Sequence, residues 1–120
     1  MTFFVLLLEV INFNGVYINE ANGGLMNAVD IKLGEKSAEG FEIPLKNAVL
    51  VVACGKRGFV MCGYLNLETS EKMGDAACVV KGIKTIDELL DGKVVGATSE
   101  AKKLGVEPGM SGREALGRLA

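Results

Sequence analysis

The chain has no histidine and no tryptophan. Without imidazole it can form no Ser-His or Cys-His nucleophile pair, no histidine acid or base, and no histidine-containing metal site. Tyrosine occurs only twice, so stacking platforms for single-stranded nucleic acid are scarce. Neither sign of charge dominates: 13 basic and 15 acidic side chains leave a formal net charge of −2. They are spread evenly, with five basic and six acidic in residues 1–60 and eight and nine in residues 61–120. No basic stripe exists, and no nucleic-acid partner is expected. Long apolar runs are also missing. Phe3–Ile11 is interrupted by Glu9 and falls far short of the ~20 residues of a membrane-spanning helix. No basic segment precedes it and no clear cleavage site follows, so no signal peptide and no membrane association are expected.

Cysteine is sparse as well. Cys54, Cys62 and Cys78 are an odd number, spaced eight and sixteen apart. That is neither a disulfide framework nor a C-x-x-C zinc or redox pair. The expectation is three small buried hydrophobes in a reducing, cytoplasmic protein. No acidic residues show the spacing of a hard-cation site, so neither a metal nor a cofactor is expected.

What is present is a core. Of 120 residues, 49% are hydrophobic and 23% charged, which bounds the chain to one ordered domain, residues 1–120. The first half reads as strands. Phe3–Phe13 leads to Asn14-Gly15, the dipeptide of a type I′ hairpin turn, and Val16–Asn19 returns beside it. Asn22-Gly23-Gly24 is a second turn, and Leu25–Leu33 alternates in part. Gly34–Asn47 reads as loop. Ala48–Ala53 is a continuous apolar run, as for a strand covered on both faces. Gly55-Lys56-Arg57-Gly58 turns it back into Phe59–Leu67. A two-residue turn at Lys56-Arg57 sets Cys54 opposite Phe59 and Val51 opposite Cys62. It puts Cys54 and Cys62 on opposite faces, out of disulfide reach.

The second half mixes short helices and strands. Glu68–Gly74 is a helix and Ala76–Lys81 a strand. Thr85-Ile86-Asp87-Glu88 is a capping box opening a helix that stops near Gly92. Lys93–Ala97 is a strand, Ser99–Leu104 a helix ending at Gly105, and Ser111-Gly112-Arg113-Glu114 a second capping box. Strands first and helices later argue an α+β fold: a mostly antiparallel sheet with short helices from the C-terminal half packed on it.

Three stretches carry a resemblance. They are Gly58-Phe59-Val60-Met61-Cys62-Gly63-Tyr64-Leu65-Asn66, Val80 through Leu90 (VKGIKTIDELL), and Gly109 through Leu116 (GMSGREAL). In order and spacing they resemble the YunC-like family of small bacterial and archaeal domains over roughly residues 45–120. The resemblance implies a compact cytoplasmic α+β domain and brings no reaction with it.

Ser111, Gly112 and Arg113 are the first site candidate. A helix N-terminus favours an anion, Arg113 can grip carboxylate or phosphate, and a glycine in the first helical turn needs a close neighbour, either ligand or backbone. The plain alternative is an ordinary cap with Arg113 in solvent. Cys62 with Gly63 is the second, with Asn66 just beyond as either a turn residue or a ligand contact. A reactive Cys62 would need a lysine, an arginine or a helix N-terminus to lower its pKa; the plain alternative is a core thiol. Gly55-Lys56-Arg57-Gly58 lacks the frame of a P-loop and reads as a turn. Asp75, Asp87 and Glu88 read as capping or dipole-complementing carboxylates. Two functions follow: a cytoplasmic homo-oligomeric module binding a small anion or a protein partner, or an enzyme using Cys62 with Arg113 as anion clamp.

Overall fold

The computed structural model describes residues 10–13, 16–19 and 24–120, with side chains from residue 26 onward. The expected turns at Asn14-Gly15 and Asn22-Gly23, and the apolar segment before Val10, lie outside the described residues. Eight described strands form one sheet in chain order. They are β1 (Val10–Phe13), β2 (Val16–Asn19), β3 (Gly24–Leu33), β4 (Lys36–Pro44), β5 (Val49–Cys54), β6 (Phe59–Met61), β7 (Ala77–Val80) and β8 (Val94–Ala97). Neighbours run antiparallel except β6 and β7. A parallel pair needs a crossover, and here it carries helix α1 (Leu67–Met73). Helices α2 (Ile86–Asp91), α3 (Ser99–Lys103) and α4 (Gly112–Leu119) follow. The fold is α+β with a mostly antiparallel sheet, as the order of patterns implies.

The β5–β6 register matches the two-residue turn. Cys54 pairs with Phe59, and the Cys62 amide donates to the Val51 carbonyl at 3.0 Å. Alternation puts Val51, Ala53, Val60 and Cys62 on one face, where all are buried among Leu89, Leu116 and Leu119 from α2 and α4.

Two expectations are corrected. Residues 34–47 are not mainly loop: nine of them form β4. Its core face carries Ala38 and Gly40, so no large apolar residue marks the alternation. Those small residues are required by packing. A Cβ on Gly40 would lie 2.7 Å from Ile86 Cδ1 and 3.0 Å from Ile31 Cδ1. The β5 run is not covered by helices on both faces among the described residues. Val51 and Ala53 are fully buried, while Val52 and Cys54 on the other face are half-buried, because α2 and α4 lie on one side of the sheet only.

Phe41, Ile43, Val52 and Phe59 share that second face. Each is half-buried, and none joins the core cluster. Phe41 pairs with Val52 across β4 and β5, and Phe59 with Cys54 across β5 and β6. Helix α1 meets the sheet farther along, where Leu67 lies against Gly96 of β8. Among the described residues no helix covers the β4–β6 part.

The Gly55–Gly58 turn docks the chain's C-terminus. The Arg57 amide donates to the Leu119 carbonyl at 2.8 Å and the Arg57 guanidinium to the Arg118 carbonyl at 2.7 Å, satisfying two end carbonyls of α4. Gly58 lies where a Cβ would overlap the Ala76 carbonyl oxygen, whereas a Cβ on Gly117 of α4 would meet nothing within 4 Å. Gly58→Ala is expected to destabilise by about 1–3 kcal/mol through overpacking. Gly117→Ala is expected to stabilise by roughly 0.5–1 kcal/mol through helix propensity. Chemical denaturation of the two variants beside wild type checks both signs.

Candidate functional site

The residues singled out in the sequence fall at two separate depressions and two helix caps. The first depression, about 370 Å³, runs along β3 and β4 beside α2. Its lining includes Asn27, Asp30, Lys32, Glu42, Asp87 and Arg113. Arg113 and Lys32 are the cations of this site, and both are exposed.

Glu42 is the residue that motif reading missed. Its Oε1 accepts from Asn27 Nδ2 at 3.1 Å and its Oε2 from the Ile86 amide at 2.7 Å. Thus the carboxylate caps α2 from 44 positions away in the chain. Register offers the only local signal, since Asn27 and Glu42 are direct cross-strand partners. Two further amides at this end are satisfied from local sequence. Thr85 Oγ1 accepts from the Glu88 amide at 3.1 Å, and Glu88 Oε1 accepts from the Lys84 amide at 2.7 Å. Glu88 therefore reaches the Lys84 amide, one residue beyond the Thr85 amide of a standard capping box.

Ser111 and Gly112 form the N-terminus of α4. Ser111 Oγ accepts from the Glu114 amide at 3.0 Å, and the Gly112 amide donates to the Gly92 carbonyl at 2.8 Å. Gly112 is buried, and a Cβ there would overlap the carbonyl oxygen of Leu89. The close neighbour that this glycine requires is the backbone of α2. Of the three residues, Arg113 alone borders a depression.

The second depression, about 360 Å³, is more apolar and is bordered by Val49, Cys62, Gly63, Tyr64, Ile83 and Lys84. Cys62 is 3% exposed, and its Sγ accepts from the Val51 amide at 3.4 Å. Gly63 is exposed, and the nearest atom to a Cβ there is Lys81 Cγ at 3.6 Å, so nothing inside the chain demands a glycine. Asn66 is not in the lining. It caps α1, its Oδ1 accepting from the Thr69 amide at 3.0 Å. Cys62 and Arg113 thus border different depressions.

Burial pushes the Cys78 thiol up to about 12. Cys54 is also raised, first by burial and then by the negative charge of Glu39. Among the described residues no group of three or more Cys, Asp and Glu is placed to hold a metal ion. No described helix is long and apolar enough to cross a membrane.

Comparison with known proteins adds family but no chemistry. Residues 61–119 match a domain of unknown function, DUF1805. The chain is 31% identical over 96 residues to the uncharacterized protein YunC of Bacillus subtilis (strain 168), covering 77% of this chain and 95% of that one. The crystal structure of TA1206 from Thermoplasma acidophilum, a protein of unknown function, superposes with a TM-score of 0.76. It shares 44% identity, over 79% of this chain and 93% of that chain.

Two measurements follow from these placements. Gly112→Ala is expected to lower stability by about 1–3 kcal/mol, outweighing the gain of at most about 1 kcal/mol from helix propensity; thermal denaturation reads the sign. In native protein at neutral pH, iodoacetamide should leave Cys78 unmodified and label Cys54 slowly, since only the thiolate reacts. Peptide mass mapping against an unfolded control checks this.

Proposed function

The chain belongs to the YunC-like family, and from that premise we propose that it is a cytoplasmic homo-oligomeric module that binds rather than transforms its ligand. One observation carries the reading: the outer face of β4–β6 presents Phe41, Ile43, Val52 and Phe59 half-exposed, outside the core cluster. A contiguous apolar patch on a chain of this size marks an interaction surface. A second copy is the simplest partner, because closed symmetry lets one patch cover another like it. A net charge of −2 offers little repulsion against this.

Arg113 at the rim of the first depression supports a small anionic ligand there. The ligand would be gripped by the Arg113 side chain, since the Gly112 and Glu114 amides of the α4 N-terminus already have acceptors.

The enzyme reading keeps one favourable feature, Cys62 beside Lys84 at the wall of the apolar depression. It loses the joint use of Arg113, which borders the other. Fast, selective alkylation of Cys62 at neutral pH would favour the enzyme, while three slow thiols favour the module.

Light scattering after size exclusion tests the assembly directly. A multiple of the 12.7 kDa chain mass is expected at low micromolar concentration and through a tenfold dilution. A mass of one chain throughout would overturn the reading.

A further inference from the structure

We infer that two copies meet edge to edge along β3, about a two-fold axis passing midway between the two copies' Ile31. The inference rests on the homo-oligomeric reading and adds the place and register of a contact.

β2 pairs only with Gly24–Asn27 of β3, whereas β4 pairs with β3 from Asn27 to Leu33. Among the described residues, Val29–Leu33 therefore has a strand on one side and none on the other. Such an edge presents a row of backbone donors and acceptors, and proteins blunt it with proline, a bulge or a repelling charge. This stretch reads Val-Asp-Ile-Lys-Leu. It has no proline, its register with β4 is unbroken, and its two charges are of opposite sign.

That pair of charges is self-complementary. In an antiparallel pairing about a two-fold axis, side chains opposite one another share a face, so one residue must lie opposite its own copy across the axis. Centred on Ile31, the pairing sets Asp30 opposite the second copy's Lys32, twice. It also sets Val29 opposite the second copy's Leu33. Centred on Asp30 it would set two aspartates face to face, and centred on Lys32 two lysines. Like charges directly opposite are unfavourable and unlike charges favourable.

Two features of the single chain agree. Asp30 and Lys32 are both exposed, and among the described residues neither has an ion-pair partner. Asp30 faces Glu39 across β4, a like-charge neighbour that an incoming lysine would offset. On the core side, the depression beside Val29, Ile31, Ile86 and Leu90 lies along this same edge.

The test is charge reversal read by light scattering, with circular dichroism confirming that each variant is folded. Asp30→Lys and Lys32→Asp should each halve the wild-type mass. The double variant Asp30→Lys/Lys32→Asp should recover it, and so should a 1:1 mixture of the two single variants, which are complementary to each other. If wild type is oligomeric and both single variants keep its mass, this edge is not the contact and the homo-oligomeric reading stands. If the single variants dissociate but neither the double variant nor the mixture recovers, the Asp30–Lys32 register is wrong. A monomeric wild type overturns both readings together.

Discussion

Direct contact between backbones at glycine is the constraint on which the rest of this structure depends. Gly112 at the start of α4 lies against the Leu89 carbonyl of α2, and its amide donates to the Gly92 carbonyl at 2.8 Å. That contact locks the two core helices together as a pair. Gly40 then lets Ile86 of α2 approach β4, and Gly58 lets β6 approach the strand beside it. With backbones this close, small helices of six and eight residues bury the centre of one face of the sheet. Leu89, Leu116 and Leu119 reach zero exposure.

The same economy explains why polar groups that look available in the sequence are mostly occupied. Ser111, Thr85, Glu88 and Asn66 each accept a helix-end amide. Glu42 supplies a further acceptor for α2 from a strand. Short helices have proportionally more unsatisfied ends, so a fold built from them spends its polar side chains on capping. Arg113 and Lys32 are not consumed in this way. They stand on the rim of one depression, while Cys62 stands at another as a member of the core.

Among the described residues, α2 and α4 cover one face of β4–β6 and no helix covers the opposite face. Its apolar residues lie in cross-strand rows, not scattered singly, and the open edge of β3 adjoins it. A face and an edge are different kinds of surface. The face offers area without register, whereas the edge offers register through backbone pairing and two charges. Together they would give an assembly both affinity and a defined geometry.

Local chemistry was legible in the sequence by itself. The two-residue turn at Lys56-Arg57 determined the β5–β6 register, and Thr85 and Ser111 announced their helices, because hydrogen bonds across two to four residues depend only on neighbours. The family, too, was carried by three short stretches. What only the tertiary structure decided involves residues far apart in the chain. β4 was hidden because its core face is Ala38 and Gly40, whose small size makes sense only once Ile86 lies over them. Gly112 signalled a close neighbour, but whether ligand or backbone depended on where α2 came to rest. Glu42 and Ile86 lie 44 positions apart, and Cys62 and Arg113 went to separate depressions, since packing places such residues and no local pattern encodes it.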